Sequence, residues 1–415
     1  MDYFNYNDQH ELYAENLSVK DLAIEHQTPL YIYSKATLKR HMGAFFEALK
    51  GRKHLICYAV KANSTLAILN YMASLGAGFD VVSLGELRRV IKAGGDPHKV
   101  IFSGVGKTEE EIAFALKHDI LCINIESEPE IDVISKVAKK VGKVARVALR
   151  VNPNVDAKTH PSISTGLKNN KFGIAIEKAF DIYKRIHNDK NLAVSGIDCH
   201  IGSQMTSGAP ILEALDRLIE LNNKLKDNGI NIDHIDIGGG LGVTYCDETP
   251  PSPYEYIQAV AQRLSDTNIA IYVEPGRAMV ANAGILVTKI LYKKYTDTKN
   301  FAIVDAGMND LIRPALYNSR MNIVEVTKRD VKDQDIYDVV GPVCESDDFL
   351  GHDRKLAIES GDYLAVRGAG AYGSSMSSNY NSRPLIKEIL VDDDKAYVIR
   401  KRQSYEQMWE NELLI

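Results

Sequence analysis

From about residue 54 to residue 275, short runs rich in β-branched residues alternate with longer stretches of helical periodicity. This alternation is typical of repeated βα units, in which parallel strands form one sheet and the helices pack outside it. The strand-like runs are HLICYAVK (54–61), GFDVVS (78–83), KVIFSG (99–104), ILCINIES (120–127), KVARVALRVNP (143–153), AVSGIDCHIGS (193–203), IDHIDIGGG (232–240) and NIAIYVEPGR (268–277). Eight such runs with their crossovers predict an α/β fold built on an eight-stranded TIM-type barrel.

After about residue 285 the pattern changes to strand-like runs that are joined by short turns. Because no helical stretches separate them, these runs predict an antiparallel sheet domain. The run TPLYIYS (28–34) precedes the first βα unit and is a candidate strand of that domain. At 415 residues the chain exceeds the usual size of one hydrophobic core. We therefore predict an N-terminal segment (1–34) that contributes to the β domain, a barrel (35–280) and a C-terminal β domain (281–415).

Charge and cysteine content narrow the classes of partner and compartment. A formal net charge of -5, with both signs mixed along the chain, provides neither a polycation for nucleic acid nor a basic surface for membranes. The cysteines are Cys57, Cys122, Cys199, Cys246 and Cys344, and none has C-x-x-C spacing. This scatter argues against a disulfide framework or a zinc site and favours a reducing, cytoplasmic setting. The first residues are polar and acidic, so we expect no secretory signal, and no run reaches membrane-spanning length.

Polar residues with chemical potential follow the predicted strands at their C-terminal ends. They are Lys61, Asp80, Arg150, His200, Gly238 to Gly240, Glu274 and Arg277. In barrel enzymes the catalytic groups gather in the loops at this end of the strands. The accumulation of these residues on one rim therefore predicts an active site.

Lys61 directly follows the apolar run LICYAV. A lysine at the end of a buried strand is either paired with an acid or suited to Schiff-base chemistry with a carbonyl cofactor. Most lysines in such positions are simply surface residues, so position alone leaves both interpretations open.

A glycine-rich loop formed by Gly238, Gly239, Gly240 and Gly242 follows the run IDHIDI. Such a loop allows backbone N–H groups to close on a phosphate. A dinucleotide fingerprint is excluded because Val243 stands three positions after Gly240, and the segment has no P-loop lysine. A phosphate site of the kind found in late barrel loops and a plain tight turn both remain possible.

The other candidate site residues also have both a functional and a purely structural interpretation. Glu274 is placed to hold a pyridine nitrogen protonated, or else to form an internal salt bridge with Arg277. His200 offers a flat ring for stacking on a planar cofactor, or is a satisfied core residue. Cys344 lies among acids in GPVCESDDF, which favours a packing role, although a neutral thiol can still deliver a proton. Tyr372 lies in the turn-rich loop GAGAYGSS.

Taken together, these segments resemble the fold-type III, alanine racemase-like pyridoxal-phosphate decarboxylases, and more closely the diaminopimelate decarboxylases. The similar segments are YAVKANS (58–64), HIGSQ (200–204), IDIGGGLG (235–242), EPGR (274–277), GPVCESDDF (341–349) and GAGAY (368–372). The stretch VDAKTHPSISTGLKNNKFG (155–173) is similar to the diaminopimelate branch rather than to the ornithine or arginine branches. The chain departs from the family at Asp347, where glycine more often follows CES.

The resemblance implies a carboxy-lyase that uses pyridoxal 5'-phosphate to convert meso-2,6-diaminopimelate to L-lysine and CO2, the last step of lysine biosynthesis. By motif, Lys61 carries the cofactor, His200 stacks on its ring and Glu274 faces the pyridine nitrogen. The further cofactor contacts that the resemblance implies are Asp80, Arg150, Ser203, Gly239, Gly240, Gly276, Arg277 and Tyr372. The implied substrate contacts are Arg277, Arg313, Tyr317, Glu345 and Tyr372, with Cys344 as the proton donor. The implied assembly is a homodimer whose active sites are shared, the C-terminal β domain of one chain supplying the cysteine to its partner.

Three alternatives belong to the same cofactor class. A decarboxylase of ornithine, arginine or carboxynorspermidine is one, and Arg313 weighs against the first two because it suits a distal carboxylate. An alanine racemase would place arginine, rather than Glu274, at the pyridine nitrogen. A non-catalytic pyridoxal-phosphate-binding protein is typically a barrel alone.

Overall fold

The computed structural model describes residues 2–156, 171–330 and 334–415. In these ranges the strands are β1 (Phe4–Tyr6), β2 (Leu12–Ala14), β3 (Leu17–Ser18), β4 (Leu30–Ser34), β5 (His54–Ala59), β6 (Gly78–Val81), β7 (Val100–Phe102), β8 (Cys122–Ile125), β9 (Ala145–Asn152), β10 (Ile174–Ala175), β11 (Leu192–Asp198), β12 (His234–Asp236), β13 (Ala270–Val273), β14 (Gly284–Tyr295), β15 (Asn300–Val304), β16 (Ile323–Glu325), β17 (Asp335–Val340), β18 (Phe349–Leu356), β19 (Tyr363–Val366), β20 (Lys387–Asp392) and β21 (Lys395–Arg400). The α-helices of the same ranges are α1 (Val19–His26), α2 (Lys35–Ala48), α3 (Leu66–Ser74), α4 (Leu84–Lys92), α5 (Glu109–Lys117), α6 (Glu128–Val141), α7 (Ile176–His187), α8 (Ala209–Asp227), α9 (Pro253–Arg263), α10 (Arg277–Val280), α11 (Arg313–Tyr317) and α12 (Tyr405–Trp409).

The chain divides into two compact units. The barrel unit consists of residues 41–243 and 249–278, and the β unit consists of residues 1–40, 244–248 and 279–415. Among the described residues, no helix is both long enough and apolar enough to cross a bilayer.

The barrel unit contains a closed parallel sheet. In the described part of the chain its strands run in the order β9, β11, β12, β13, β5, β6, β7 and β8, and β8 pairs with β9 to close the barrel. The short β10 pairs in parallel with the C-terminal end of β9. Each predicted run overlaps one of these strands, and the prediction of a TIM-type barrel is confirmed.

The barrel strands and helices follow from familiar local rules. Strands β6, β7 and β8 are buried at every position, as expected for parallel strands covered on both faces. Ser83 caps the N-terminus of α4, where its side chain accepts from the Glu86 N–H, and Thr108 caps α5 with a complete capping box. Gly142, in the left-handed conformation, caps the C-terminus of α6. These short, well-defined connections fix the strand ends that carry the candidate site.

The β unit contains a second, mostly antiparallel sheet. Strand β14 is its centre and pairs antiparallel with β4, β15 and β19. The run TPLYIYS forms β4 of this sheet, so the N-terminal segment pairs with the C-terminal part of the chain. Together with the barrel, this sheet confirms the predicted fold class.

Two pairings depart from the predicted antiparallel arrangement. Strand β4 is parallel to β20, and β15 is parallel to β17. Neither pair is joined by a tight hairpin, because long stretches of chain separate the partners. Only a short turn forces neighbouring strands to be antiparallel. The prediction of an antiparallel sheet was therefore wrong for these two pairs, whose connections are long.

Candidate active site

Lys61 lies in a turn of 3-10 helix, Val60–Ala62, directly after β5. Its Nζ is 2.5 Å from Asp80 Oδ2, and the Asp80 side chain is fully buried while 37% of the Lys61 side chain is exposed. The pairing follows from the sheet register, in which Ala59 lies beside Asp80. The structure therefore brings these two predicted residues together and leaves the lysine accessible from the barrel rim.

Three further acids lie at the ends of the neighbouring strands. Asp198 ends β11, Asp236 ends β12 and Glu274 follows β13. All three are buried, and one carboxylate oxygen from each lies within 4.8 Å of the others. Burial, and then the mutual repulsion of the acids, raises the pKa of Asp198 and of Glu274 well above the usual range. Burial raises the pKa of Asp236 to about 7.

Sequence reasoning identified Glu274 but missed Asp198 and Asp236. The signal was present, because each of the two lies within a strand-like run, as Asp80 does. In the GIDCH and HIDIG motifs these acids are followed by a histidine and by glycines, which are the more distinctive residues.

Arg150, at the end of β9, is held by an acid that sequence reasoning also missed. Its Nη1 donates to Glu126 Oε1 at 2.8 Å, and its guanidinium lies 4.9 Å from the centre of the Phe172 ring. Burial opposes the charge of Arg150, but Glu126 and then Asp198 raise its pKa above the ordinary value. The barrel rim therefore holds a buried, permanently charged guanidinium.

His200 follows β11 and contacts the glycine-rich loop. The Gly239 N–H donates to His200 Nδ1 at 3.2 Å. Burial, together with the charges of Arg150 and Lys61, lowers the pKa of His200 well below the ordinary value. The imidazole is thus neutral and presents a flat, uncharged ring.

The glycine-rich loop requires its glycines at specific points. Gly238 and Gly240 have φ of +66° and +98°, conformations that favour glycine. A Cβ at Gly239 would lie 2.4 Å from the Glu274 carbonyl oxygen, and one at Gly240 would lie 2.6 Å from the Gly202 carbonyl oxygen. The structure therefore contains the tight turn, in which the Gly238 N–H donates to Asp236 Oδ1 at 2.8 Å and the Gly239 N–H to His200 Nδ1.

Three other predicted phosphate contacts lie beside this loop. Arg277 Nη2 donates to Ser203 Oγ at 3.0 Å. At Gly276, a Cβ would lie 3.1 Å from the side chains of Ala59 and Ala62. The barrel unit therefore gathers ten of the predicted site residues at one end. They are Lys61, Asp80, Arg150, His200, Ser203, Gly239, Gly240, Glu274, Gly276 and Arg277.

In the β unit, Arg313 begins the short helix α11 and is 5% exposed. Its guanidinium lies 5.0 Å from the ring centre of Tyr245 and 5.6 Å from that of Tyr317. Its Nη2 donates to Ser319 Oγ at 3.3 Å. Tyr245, which sequence reasoning missed, therefore joins two predicted substrate contacts around one buried cation.

Cys344 and Glu345 are exposed on a turn between β17 and β18. The turn is held by buried Asp348, whose two carboxylate oxygens accept from the Val343 and Met308 N–H groups at 2.6 Å each. The neighbouring Asp347 is exposed. The departure from the family's glycine therefore adds a surface charge beside a turn that Asp348 organises.

Two other predicted contacts of the β unit, Tyr372 and Glu345, lie outside its strands and helices. Tyr372 is half-buried and has φ of +55°, as suits its turn-rich loop. The Cys344 N–H donates to Asn381 Oδ1 at 2.8 Å, and Tyr380 donates to Glu345 Oε1. The diaminopimelate-like stretch 155–173 lies largely outside the described residues, because 157–170 is not among them.

A phosphorylated pyridine aldehyde fits the barrel rim chemically. The buried Glu274 Oε1 has no hydrogen-bond partner in the described part of the chain, and a protonated ring nitrogen is the kind of donor it needs. Lys61 supplies an accessible amine, His200 a flat neutral ring, and Arg277 with Ser203 donor groups for the phosphate. Each functional group of such a cofactor thus has a matching residue type.

Comparison with known proteins agrees with this fit. The family model for the pyridoxal binding domain of pyridoxal-dependent decarboxylases matches residues 35–281. The diaminopimelate decarboxylase of Vibrio cholerae is 55% identical over 410 residues, covering 99% of this chain and 98% of that relative.

Two solved structures are also similar over nearly the whole length. The Helicobacter pylori diaminopimelate decarboxylase complexed with L-lysine has a TM-score of 0.91 and 44% identity, covering 94% of this chain and 98% of that chain. The diaminopimelate decarboxylase from M. jannaschii in co-complex with L-lysine has a TM-score of 0.95 and 35% identity, covering 100% of this chain and 98% of that chain. The chain belongs to the pyridoxal-dependent decarboxylases and, within them, to the diaminopimelate decarboxylase family.

Proposed function

We propose that this enzyme converts meso-2,6-diaminopimelate to L-lysine and CO2, the last step of lysine biosynthesis. The observation that carries the proposal is full-length identity of 55% with a relative named for this activity. The accessible Lys61 beside buried Asp80 supports it, because an amine that can bond to a carbonyl cofactor is what the activity requires. Two similar structures contain L-lysine, which is the proposed product.

The barrel-rim residues are proposed to hold pyridoxal 5'-phosphate. Lys61 would carry it covalently, His200 would lie against its ring, and Glu274 would hold a proton at the pyridine nitrogen. Bound in this way, the cofactor supplies an electron sink for the charge left when CO2 departs. Phosphate contacts come from Ser203, Gly239, Gly240, Gly276 and Arg277, and Asp80 and Arg150 support the ring more indirectly.

Arg313 and its aromatic neighbours are proposed to recognise the distal carboxylate of the substrate. The planar fork of arginine grips both carboxylate oxygens, and Tyr245 and Tyr317 shield it from water. Further substrate contacts come from Arg277, Glu345 and Tyr372. Cys344 returns a proton to the substrate Cα, for which its exposed position on a turn suits it.

Incubation of the purified holoenzyme with meso-diaminopimelate tests the proposal. We expect equimolar CO2 and L-lysine, measured by trapped CO2 and by chiral chromatography of the amino acid. Release of a diamine from ornithine or lysine, with no lysine formed from diaminopimelate, would instead support the polyamine-forming alternative. Absence of turnover with every amino acid tried would support the non-catalytic alternative.

We further propose a symmetric homodimer in which Cys344 and Glu345 serve the active site of the partner chain. The exposed turn that carries them supports this, because a catalytic thiol on an exposed loop needs a second surface to exclude water. Lys61→Ala and Cys344→Ala homodimers should then each be nearly inactive. When the two variants are mixed and re-assort at random, half of the molecules are heterodimers that hold one intact site. The mixture should recover about a quarter of the wild-type activity by this count of sites.

Mass spectrometry of intact dimers confirms that subunits have exchanged. Cys246→Ala mixed with Lys61→Ala serves as the matched control, because Cys246 is not a proposed site residue. If the Cys344 mixture stays inactive after complete exchange, Cys344 does not serve the partner's site.

The cytoplasm is the proposed location. Five free cysteines, three of them buried, support it, since a reducing compartment keeps thiols unpaired.

A further inference from the structure

Asp198 is a buried acid to which the proposed function gives no task. Its side chain ends β11 and is 2% exposed. In the sheet it lies between Arg150 on β9 and Asp236 on β12, its two register partners. Its Oδ1 has no hydrogen-bond partner in the described ranges. A buried acid with an unpartnered oxygen has to be either neutral or matched by a nearby cation.

The nearby cations are already matched to other acids. Lys61 Nζ is 2.5 Å from Asp80, and Arg150 Nη1 is 2.8 Å from Glu126. The charged and titratable groups that act on Asp198 from the surrounding strands and helix are Asp80, Glu126, Arg150, Asp236 and Glu274, together with Cys122, Cys199 and Tyr183. Within the described residues, none of the acids Asp198, Asp236 and Glu274 forms an ion pair of its own.

Three carboxyl groups this close cannot all be ionised in a buried site. Asp236 and Glu274 have carboxylate oxygens within 4.8 Å of one another, and burial together with their mutual repulsion favours a proton on one of them. With the cofactor bound, Glu274 would hold that proton at the pyridine nitrogen. Asp198 then remains as the acid that must be neutral for the cluster to be stable.

We propose that Asp198 is a positioning residue that stays protonated in the working enzyme and limits the negative charge behind Glu274. This inference rests on the proposed function. If Asp198 were ionised, its charge would draw the shared proton toward Glu274 and away from the pyridine nitrogen, because the proton would lie closer to the added charge. The electron sink would then be weaker. Burial, and then repulsion by Asp236, raises the pKa of Asp198 despite the nearby Arg150, which is consistent with a neutral acid.

Asp198→Asn provides the test, because the amide has the shape of the neutral acid and no charge. Infrared difference spectroscopy of the holoenzyme without substrate reads the carbonyl stretch of protonated carboxylic acids, which shifts in heavy water. We expect the wild-type minus Asp198→Asn spectrum to contain this band at neutral pH. The kcat of the variant with meso-diaminopimelate should stay within about threefold of wild type, and its visible cofactor band should not move.

Asp233→Asn is the matched control. Asp233 lies just before β12, is 63% exposed at its side chain and pairs with Arg146, so its removal should take away no protonated-acid band. Absence of the band from the Asp198 difference spectrum would overturn the proposal. So would a loss of kcat of tenfold or more with a shifted cofactor band, since that result identifies Asp198 as a needed charge.

A pH titration of the apoenzyme gives a second measurement that does not depend on turnover. Folding keeps protons on the cluster that the unfolded chain releases above about pH 4. The melting temperature should therefore fall as pH rises toward about 7, the pKa of Asp236 in the folded state. Asp198→Asn should flatten this fall, and an unchanged slope would contradict the proposal.

The proposed function and the protonation of Asp198 can fail separately. If diaminopimelate is not decarboxylated but the infrared band is present, the proposed function is wrong while the protonation of Asp198 stands.

Discussion

Lys61→Ala should reduce kcat/KM for meso-diaminopimelate by several orders of magnitude. The substitution removes both the covalent attachment of the cofactor and the amine that exchanges protons with the substrate. Because a single side chain performs both functions, the loss of activity is large. It also leaves buried Asp80 without its partner at 2.5 Å, so some loss of stability is expected as well.

A set of control measurements distinguishes the loss of catalytic activity from the loss of stability. Lys53→Ala removes an exposed lysine just before the same strand and should leave activity unchanged. Thermal melting and bound-cofactor content report whether Lys61→Ala still folds. Partial recovery of turnover by an added small primary amine would identify the lost amine as the cause. A folded Lys61→Ala enzyme with more than about a tenth of wild-type kcat/KM would rule out a covalent role for this residue.

Discrimination against substrates that lack the distal carboxylate should be the second large effect. Arg313 is 5% exposed, so an amino acid without that carboxylate forgoes an ion pair with a buried guanidinium. The cost of about 3–5 kcal/mol corresponds to roughly a hundredfold or more in kcat/KM for lysine or ornithine relative to meso-diaminopimelate.

Arg313→Ala should remove most of this discrimination by lowering kcat/KM for meso-diaminopimelate alone. Arg320→Ala, an exposed arginine three residues beyond α11, is the control and should preserve it. Steady-state kinetics on both substrates measure the ratio. Equal kcat/KM values for ornithine and meso-diaminopimelate in the wild-type enzyme would contradict the role of Arg313 and favour the polyamine-forming alternative.

The fold and one rim of the site were predictable because parallel strands impose a simple geometry. Strand-end residues such as Lys61 and Asp80 are 19 positions apart in sequence, yet the register of β5 and β6 places them side by side. Any chain with alternating βα units brings its strand ends together in this way, so periodicity alone identified the rim.

Burial and pairing were not predictable from the pattern. Asp198 and Asp236 look like ordinary polar residues in sequence, and only the closed barrel makes them a buried acidic cluster. Likewise, Asp347 is the position at which the sequence departs from the family, whereas the structure shows that its neighbour Asp348 holds the cysteine turn. Which of two adjacent acids faces inward depends on packing, and no local rule decides it.

Borohydride reduction followed by peptide mapping tests directly whether Lys61 carries the cofactor. The purified protein, loaded with pyridoxal phosphate and reduced, should carry one reduced pyridoxyl adduct per chain, on the peptide that contains Lys61. The Lys61→Ala variant, treated identically, should carry none. An adduct mapped to any other lysine in the wild-type protein would contradict the assignment of the active site.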